Sequence, residues 1–373
     1  MLADPPKHDR GGATRQVQVG LHQSRALGRI HGSNVPQARW LLYVGPVGVF
    51  TRLAETELTE LAAAFDLGAV RGYEAIAAGT INSNYRLDTE RGRWFVRVNE
   101  GKSESDVAWE ARLVEALADG GVATPPPLRA RDGRAYAPLA DLNRWVTAFA
   151  WRPGVHLAPS EVTPGFARAI GTALARLHAV GLELPATWRR ASIYDHDHLV
   201  ARYQRFANSA DPELARAIAV LGEELAVCSA AAPQRQRATT GIIHGDLFRD
   251  NVLWQVTGES AEIAAILDFE QASGGSLAYD LGVTINDWCW SDEPRIDLAT
   301  ELLDGYRRFR SLTPDDRAAL PIEVRAAAAR FTITRITDVY LANLTNPDKD
   351  FRAFLARCEA WRGPALGQLS SVL

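Results

Sequence analysis

The sequence predicts an α+β protein of two lobes, a small β-rich N-terminal lobe and a larger, mostly helical C-terminal lobe. Three observations carry that prediction. The chain has 373 residues, more than one simple hydrophobic core organises. Between about residues 70 and 151 apolar and polar residues alternate with the period of strands, broken by turn residues. Beyond Pro153-Gly154 apolar residues recur every three or four positions, the period of helices.

The elements follow in order. Residues 1–47 mix Arg, Gly, Gln, His and Ser without apolar periodicity and read as a tail outside the fold. A first helix places Leu58, Leu61, Ala62 and Phe65 on one face, and Gly68 supplies its stop. Strand-like alternation then runs through 70–100, turning at Arg91-Gly92. A helix over 105–119 turns Val107, Ala111, Val114 and Leu117 inward, and Gly120-Gly121 ends it. Pro125-Pro126-Pro127 is a rigid extended connection, and 134–151 reads as a further hairpin. These residues, 48–150, form the expected N-terminal lobe; residues 151–373 form the C-terminal one. There, Thr163-Pro164 is a cap and first-turn pair before the stripe Phe166, Ile170, Leu174 and Leu177. Further helices are predicted at about 194–207, 211–230, 277–290, 297–310, 321–344 and 350–361. Short β-like runs fall between them at 241–244, 251–254 and 263–268.

Composition narrows the function classes. Hydrophobic residues make up 47% and charged residues 23%, as in an ordinary globular chain, and no run approaches the ~20 apolar residues of a bilayer span. The net charge of −4 offers no general attraction to nucleic acid or an anionic membrane. Cys228, Cys289 and Cys358 are odd in number and widely spaced, which points to a reduced, cytoplasmic setting. Nothing in the sequence specifies an oligomer.

The chemistry concentrates in His244-Gly245-Asp246-Leu247-Phe248-Arg249-Asp250-Asn251, with Asp268-Phe269-Glu270 beginning seventeen residues after Asn251. Phosphoryl transfer needs a carboxylate beside the attacking hydroxyl and oxygen ligands that hold Mg²⁺ against a triphosphate. Asp246 suits the first task. Asn251, five residues later, and Asp268, at the end of an apolar run, suit the second. An Asp and an Asn five apart are often mere turn residues; here three elements occur in order, each beside a β-like run. ATP and Mg²⁺ are therefore the expected cofactors, and a small molecule with a hydroxyl the expected acceptor. In the N-terminal lobe Gly79, Thr80, Asn82, Ser83 and Asn84 form a small-polar loop suited to covering phosphates. Arg97 is the candidate phosphate cation and Glu110 its candidate partner, although solvated faces would account for both. His178 reads as a packed histidine, and His196 and His198 alternate with Asp195 and Asp197 on faces that do not converge.

The motifs His244-Gly245-Asp246 to Asn251, Asp268-Phe269-Glu270 and Tyr279-Asp280-Leu281 resemble the aminoglycoside phosphotransferase/choline kinase superfamily, whose fold is protein-kinase-like. More narrowly, Asn82-Ser83-Asn84-Tyr85, the variant Asp246-Leu247-Phe248-x-Asp250-Asn251, and Asn286-Asp287-Trp288-Cys289-Trp290 are similar to the homoserine kinases of that superfamily. Thr334-Arg335-x-x-Asp338 is similar to their late helix. The resemblance spans about residues 50–355. It implies phosphorylation of L-homoserine, a step towards threonine; the alternative is another small hydroxyl compound such as an aminoglycoside or a choline-like alcohol. It also implies adenine against the backbone near 147–150, with Thr147 and Phe149 as candidates, and an acceptor site including Trp288. Arg335 and Asp338, one helical turn apart, would meet the carboxylate and ammonium of the amino acid.

Overall fold

The computed structural model describes residues 50–373 apart from 77–81, 140–141, 258–259 and 345. The expected tail 1–47, and Gly79 and Thr80 of the clamp loop, lie outside the described residues.

The small lobe begins with helix α1 (Glu55–Ala64), whose Glu57 carboxylate accepts the Ala54 backbone N–H at 2.6 Å. Strands β1 (Val70–Ile76), β2 (Ser83–Thr89), β3 (Gly92–Asn99), β4 (Ala137–Leu139) and β5 (Arg144–Ala150) make one antiparallel sheet in the order β1-β2-β3-β5-β4. Alternate residues of its strands, Leu87, Val96, Val98, Val146 and Ala148, are buried with Leu58 and Leu61 of α1. Helix α2 (Glu104–Asp119) is capped by Ser103, which accepts the Asp106 N–H. Its Leu113, Val114 and Leu117 join the core of the larger lobe, so a boundary at residue 150 does not separate two self-contained cores.

The chain crosses between the lobes at 151–154, directly after β5 and where the two expected lobes meet. Strand β5 pairs with β3 on one side and with β4 on the other, and the Ala148 carbonyl already accepts the Leu128 N–H at 2.7 Å. Thr147 and Phe149 are thus sheet residues, with Thr147 accepting from Asn99 and Phe149 packing on Phe95. They end the hairpin expected over 134–151, at the edge of the passage to the large lobe.

The large lobe packs α3 (Pro164–Glu183) against α8 (Ile296–Arg307) at backbone distance. A Cβ on Gly171 would lie 1.9 Å from the Leu302 carbonyl oxygen, and one on Gly305 would lie 2.0 Å from that of Arg168. Between these helices come α4 (His196–Gln204), α5 (Pro212–Ala230), α6 (Ala232–Arg235) and four short strands. These are β6 (Thr240–Ile243), β7 (Val252–Thr257), β8 (Ser260–Ile266) and β9 (Ser273–Ser276), paired β6 with β9 and β7 with β8. Helices α7 (Leu277–Trp288), α9 (Pro314–Arg335), α10 (Phe351–Ala360) and α11 (Pro364–Ser371) complete the lobe. Helix α9 starts seven residues before the expected 321, because Thr313 and Asp316 form a capping box with Pro314 in the first turn, and Pro321 is carried inside. At its end the helix widens into a π-turn over Ile336–Tyr340. Among the described residues no helix is long and apolar enough to cross a membrane.

Candidate active site

The loop between β6 and β7 is held from beneath by one carboxylate. Asp280, fully buried on α7, accepts the backbone N–H of His244 at 2.7 Å and of Gly245 at 2.8 Å. It also lies 3.0 Å from His178 Nε2, while His178 Nδ1 meets the Tyr306 hydroxyl at 2.8 Å. Burial alone would raise the Asp280 carboxyl. The His178 hydrogen bond and the charges around it outweigh burial and hold it below the usual carboxylate range. Gly245 adopts φ +77°, and a Cβ there would sit 3.1 Å from the Gln271 carbonyl oxygen, so the loop needs glycine at this point. His244 Nε2 lies 2.9 Å from the Leu267 carbonyl oxygen, which ties the loop to the end of β8.

These contacts present Asp246. Its Oδ2 accepts from the Gln271 side-chain amide at 3.0 Å, and its Oδ1 lies 3.8 Å from the Arg330 guanidinium. Burial pushes the Asp246 carboxyl up to about 7 against the pull of Arg330, and Asp250 and Asp268 add to the rise. The Asn251 side-chain nitrogen donates to the Asp246 carbonyl at 2.8 Å, which leaves its oxygen as the free end. Asp268 follows β8 in the left-handed conformation, φ 64° and ψ 70°, a strained position for a residue other than glycine. Burial opposes its charge, but Arg97, then Lys102 and His244, hold it below its ordinary value. Asn251 and Asp268 are oxygen donors, and two protein ligands plus phosphates suit Mg²⁺ better than a closed cage would. Among the described residues no three His, Cys, Asp or Glu side chains converge as such a cage.

The nucleotide-side residues divide. Arg97 reaches Asp268 at 3.3 Å and Glu110 at 3.8 Å, so all three come together. Lys102, which sequence reasoning passed over, is closer still to Glu110, at 2.8 Å, and reaches Glu270 at 3.4 Å. The available signal was rarity: Lys102 is one of three lysines in a chain whose cations are otherwise arginine. Asn82 spans the lobes, donating to Glu270 at 2.7 Å and accepting the Glu100 N–H at 3.1 Å. Asn84 accepts from Arg97 at 3.4 Å. Ser83 is a correction. It is fully buried, accepts the backbone N–H groups of Phe50 and Thr51, and donates to Glu100, so it fastens the start of the lobe instead of facing phosphate.

On the acceptor side two expectations change. Trp288 is fully buried and donates from its indole to the Leu247 carbonyl at 3.0 Å; it braces the Asp246 loop from within and lines no cleft. Asp338 falls in the π-turn, is half exposed and pairs with Arg202 at 2.5 Å, away from Arg335. The widened turn breaks the simple helical spacing that suggested the pair. Arg335 donates to the Asp350 carbonyl at 3.1 Å and lies over the Phe354 ring, with no carboxylate within 4 Å among the described residues. Burial lowers it to about 10, against Asp287, Asp246 and Asp250 nearby. Arg249 forms a two-pronged pair with Asp287 at 2.9 and 3.1 Å, and Arg357 is buried over Phe354 and Trp290. Arg330 keeps a buried Nε with no hydrogen-bond partner. Among the described residues Arg335 and Arg357 make their polar contacts to backbone carbonyls and pair with no carboxylate.

Residues 72–312 match the phosphotransferase enzyme family. The chain is 34% identical over 298 residues to the homoserine kinase of Caulobacter vibrioides, covering 78% of this chain and 90% of that one. It is equally identical to the homoserine kinase of Gluconacetobacter diazotrophicus, with 78% and 89% covered. Among solved structures it resembles amicoumacin kinase in complex with AMP-PNP, Ca²⁺ and Ami, with a TM-score of 0.65, 15% identity and 83% and 94% of the two chains covered. It also resembles a choline/ethanolamine kinase family protein from Mesorhizobium loti, with a TM-score of 0.59, 21% identity and 85% and 97% covered. At these identities the solved structures speak for the two-lobed kinase fold alone.

Proposed function

Since the chain belongs to the phosphotransferase enzyme family, we propose that it transfers the γ-phosphoryl group of ATP to the hydroxyl of L-homoserine, giving O-phospho-L-homoserine on the way to threonine. Asp246 takes the hydrogen bond, and then the proton, of the acceptor hydroxyl as its oxygen bonds to phosphorus and the bond to the β-phosphate oxygen breaks, leaving ADP. Asn251 Oδ1 and Asp268 would hold Mg²⁺, which neutralises the charge on the triphosphate. Arg97 and Lys102, with Glu110 to orient them, face the phosphates from the small lobe, beside Asn82 and Asn84. The cytoplasm, where ATP is plentiful, is the fitting compartment.

The observation that carries the acceptor assignment is Arg335, a half-buried guanidinium without a carboxylate partner among the described residues, near enough to Asp246 for the two charges to interact. A half-buried cation without a carboxylate partner, facing the hydroxyl site, suits an anionic group on the substrate. A polycationic aminoglycoside would gain nothing from Arg335 and Arg357, which pair with no carboxylate among the described residues and would repel it. A coupled ADP-release assay with homoserine, choline, hydroxylysine and kanamycin tests the reading, and homoserine should be turned over with the highest kcat/KM. Preference for choline or kanamycin would refute it.

A further inference from the structure

The acceptor side holds one more charge that phosphoryl transfer leaves without a task. Asp250 lies in the short 3-10 turn Arg249–Asn251. The turn is fastened on both sides of it: Arg249 bonds through its backbone N–H and its guanidinium to Asp287, and Asn251 donates to the Asp246 carbonyl. Asp250 itself is exposed and makes no hydrogen bond or ion pair to another described residue. The charges that act on it are those of Asp287, Lys349, His156 and Asp268, and its own charge bears on both Asp246 and Arg335. A cation and an anion that pair with no opposite charge among the described residues therefore both act on the carboxylate that receives the acceptor hydroxyl.

An α-amino acid carries a carboxylate and an ammonium on one carbon, and recognising both takes one group of each sign. Asp338, the residue whose spacing suggested the ammonium partner, is occupied by Arg202. We propose that Asp250 binds the α-ammonium group of an α-amino acid acceptor, while Arg335 takes its carboxylate and Asp246 its side-chain hydroxyl. This assignment rests on the functional reading above. Asp250 then selects against alcohols that present a carboxylate but no amine, and Arg335 against those that present an amine but no carboxylate.

The test uses the full chain and three acceptors: L-homoserine, 4-hydroxybutyrate, which lacks the amine, and 3-aminopropan-1-ol, which lacks the carboxylate. Asp250→Asn should lower kcat/KM for homoserine about 10- to 100-fold, chiefly through KM. It should leave 4-hydroxybutyrate, the KM for ATP and the Mg²⁺ requirement within about twofold of wild type. Asp250→Glu should recover part of the loss. Equal losses with homoserine and 4-hydroxybutyrate, or a loss cured by raising Mg²⁺, would overturn the assignment. Should Asp250→Asn fail to fold by circular dichroism, Asp250→Ser and the wild-type ratio of homoserine to 4-hydroxybutyrate decide, and a ratio near one again overturns it. Wild-type enzyme that ignores homoserine but phosphorylates choline or kanamycin defeats the functional reading. Homoserine turnover that is indifferent to Asp250→Asn defeats only the ammonium site.

Discussion

Replacing Asp280 by Asn tests whether a buried carboxylate holds the Asp246 loop in place. Asp280 Oδ2 receives the His244 N–H and faces His178 Nε2, and Oδ1 receives the Gly245 N–H, at 2.7 to 3.0 Å. Asparagine keeps the volume and one acceptor oxygen but sets an NH₂ group against at least one of these donors. In the milder orientation it orphans the Gly245 N–H, costing ~1–3 kcal/mol, and the other two bonds lose their charge assistance. The expected destabilisation is ~2–4 kcal/mol, readable as a fall in the urea midpoint at unchanged slope. Because the Asp280 carboxyl is depressed in the fold, its contribution is present above about pH 4 and is lost as pH falls through the folded value. The gap between wild type and variant should therefore narrow in acid. The kcat should drop ~10- to 100-fold with the KM for ATP little changed, since the loop loses its register while the small lobe does not. A variant with wild-type midpoint and kcat would refute the argument.

Asp246→Asn should lower kcat by several orders of magnitude while ATP binding stays measurable, because positioning survives and hydroxyl activation does not. The same variant should be more stable than wild type above pH 7, by up to roughly 4 kcal/mol, as a carboxyl raised to about 7 is costly to ionise within the fold; the gain should vanish near pH 4. Arg335→Ala should raise the KM for homoserine far more than that for ATP, and equal effects on both would mark a structural residue. Trp288→Ala should cost about 3–5 kcal/mol of stability in urea unfolding, as expected of a fully buried indole whose N–H is used, with kcat falling through the loop it braces.

The strand-rich lobe, the helical lobe and the three chemical residues were legible because each rests on local pattern: alternation, helical stripes, and a short motif beside β-like runs. Asp246 and Asn251 share the β6–β7 loop, and Asp268 follows β8, the partner of β7, so nearness in sequence translates into nearness in space. What failed depended on three-dimensional partners. Ser83 and Trp288 were placed by their neighbours in sequence, but each is claimed by a contact a residue pattern cannot show, the Phe50–Thr51 backbone and the Leu247 carbonyl. The Arg335–Asp338 spacing assumed a regular helix, and a single π-turn undid it. Pro321 misled in the opposite direction, since a strong capping box upstream outweighed a helix-interior proline. Asp280 stood in a recognised motif, yet its task appears only through two backbone N–H groups 36 and 35 residues away in the chain.

The Arg97–Asp268 contact at 3.3 Å joins the cation assigned to the triphosphate with the carboxylate assigned to its metal. Each serves as the other's stand-in: the guanidinium occupies the place of a positive ion, and the carboxylate that of a phosphate oxygen. A nucleotide arriving together with its metal exchanges this pair for two like-for-like pairs, and neither charge is stranded in the process. A metal arriving alone would leave Arg97 with Glu110, 3.8 Å away, as its carboxylate partner, and a nucleotide alone would leave Asp268 to Lys102. If Arg97 and Asp268 take the proposed roles, nucleotide and metal arriving together satisfy both charges best.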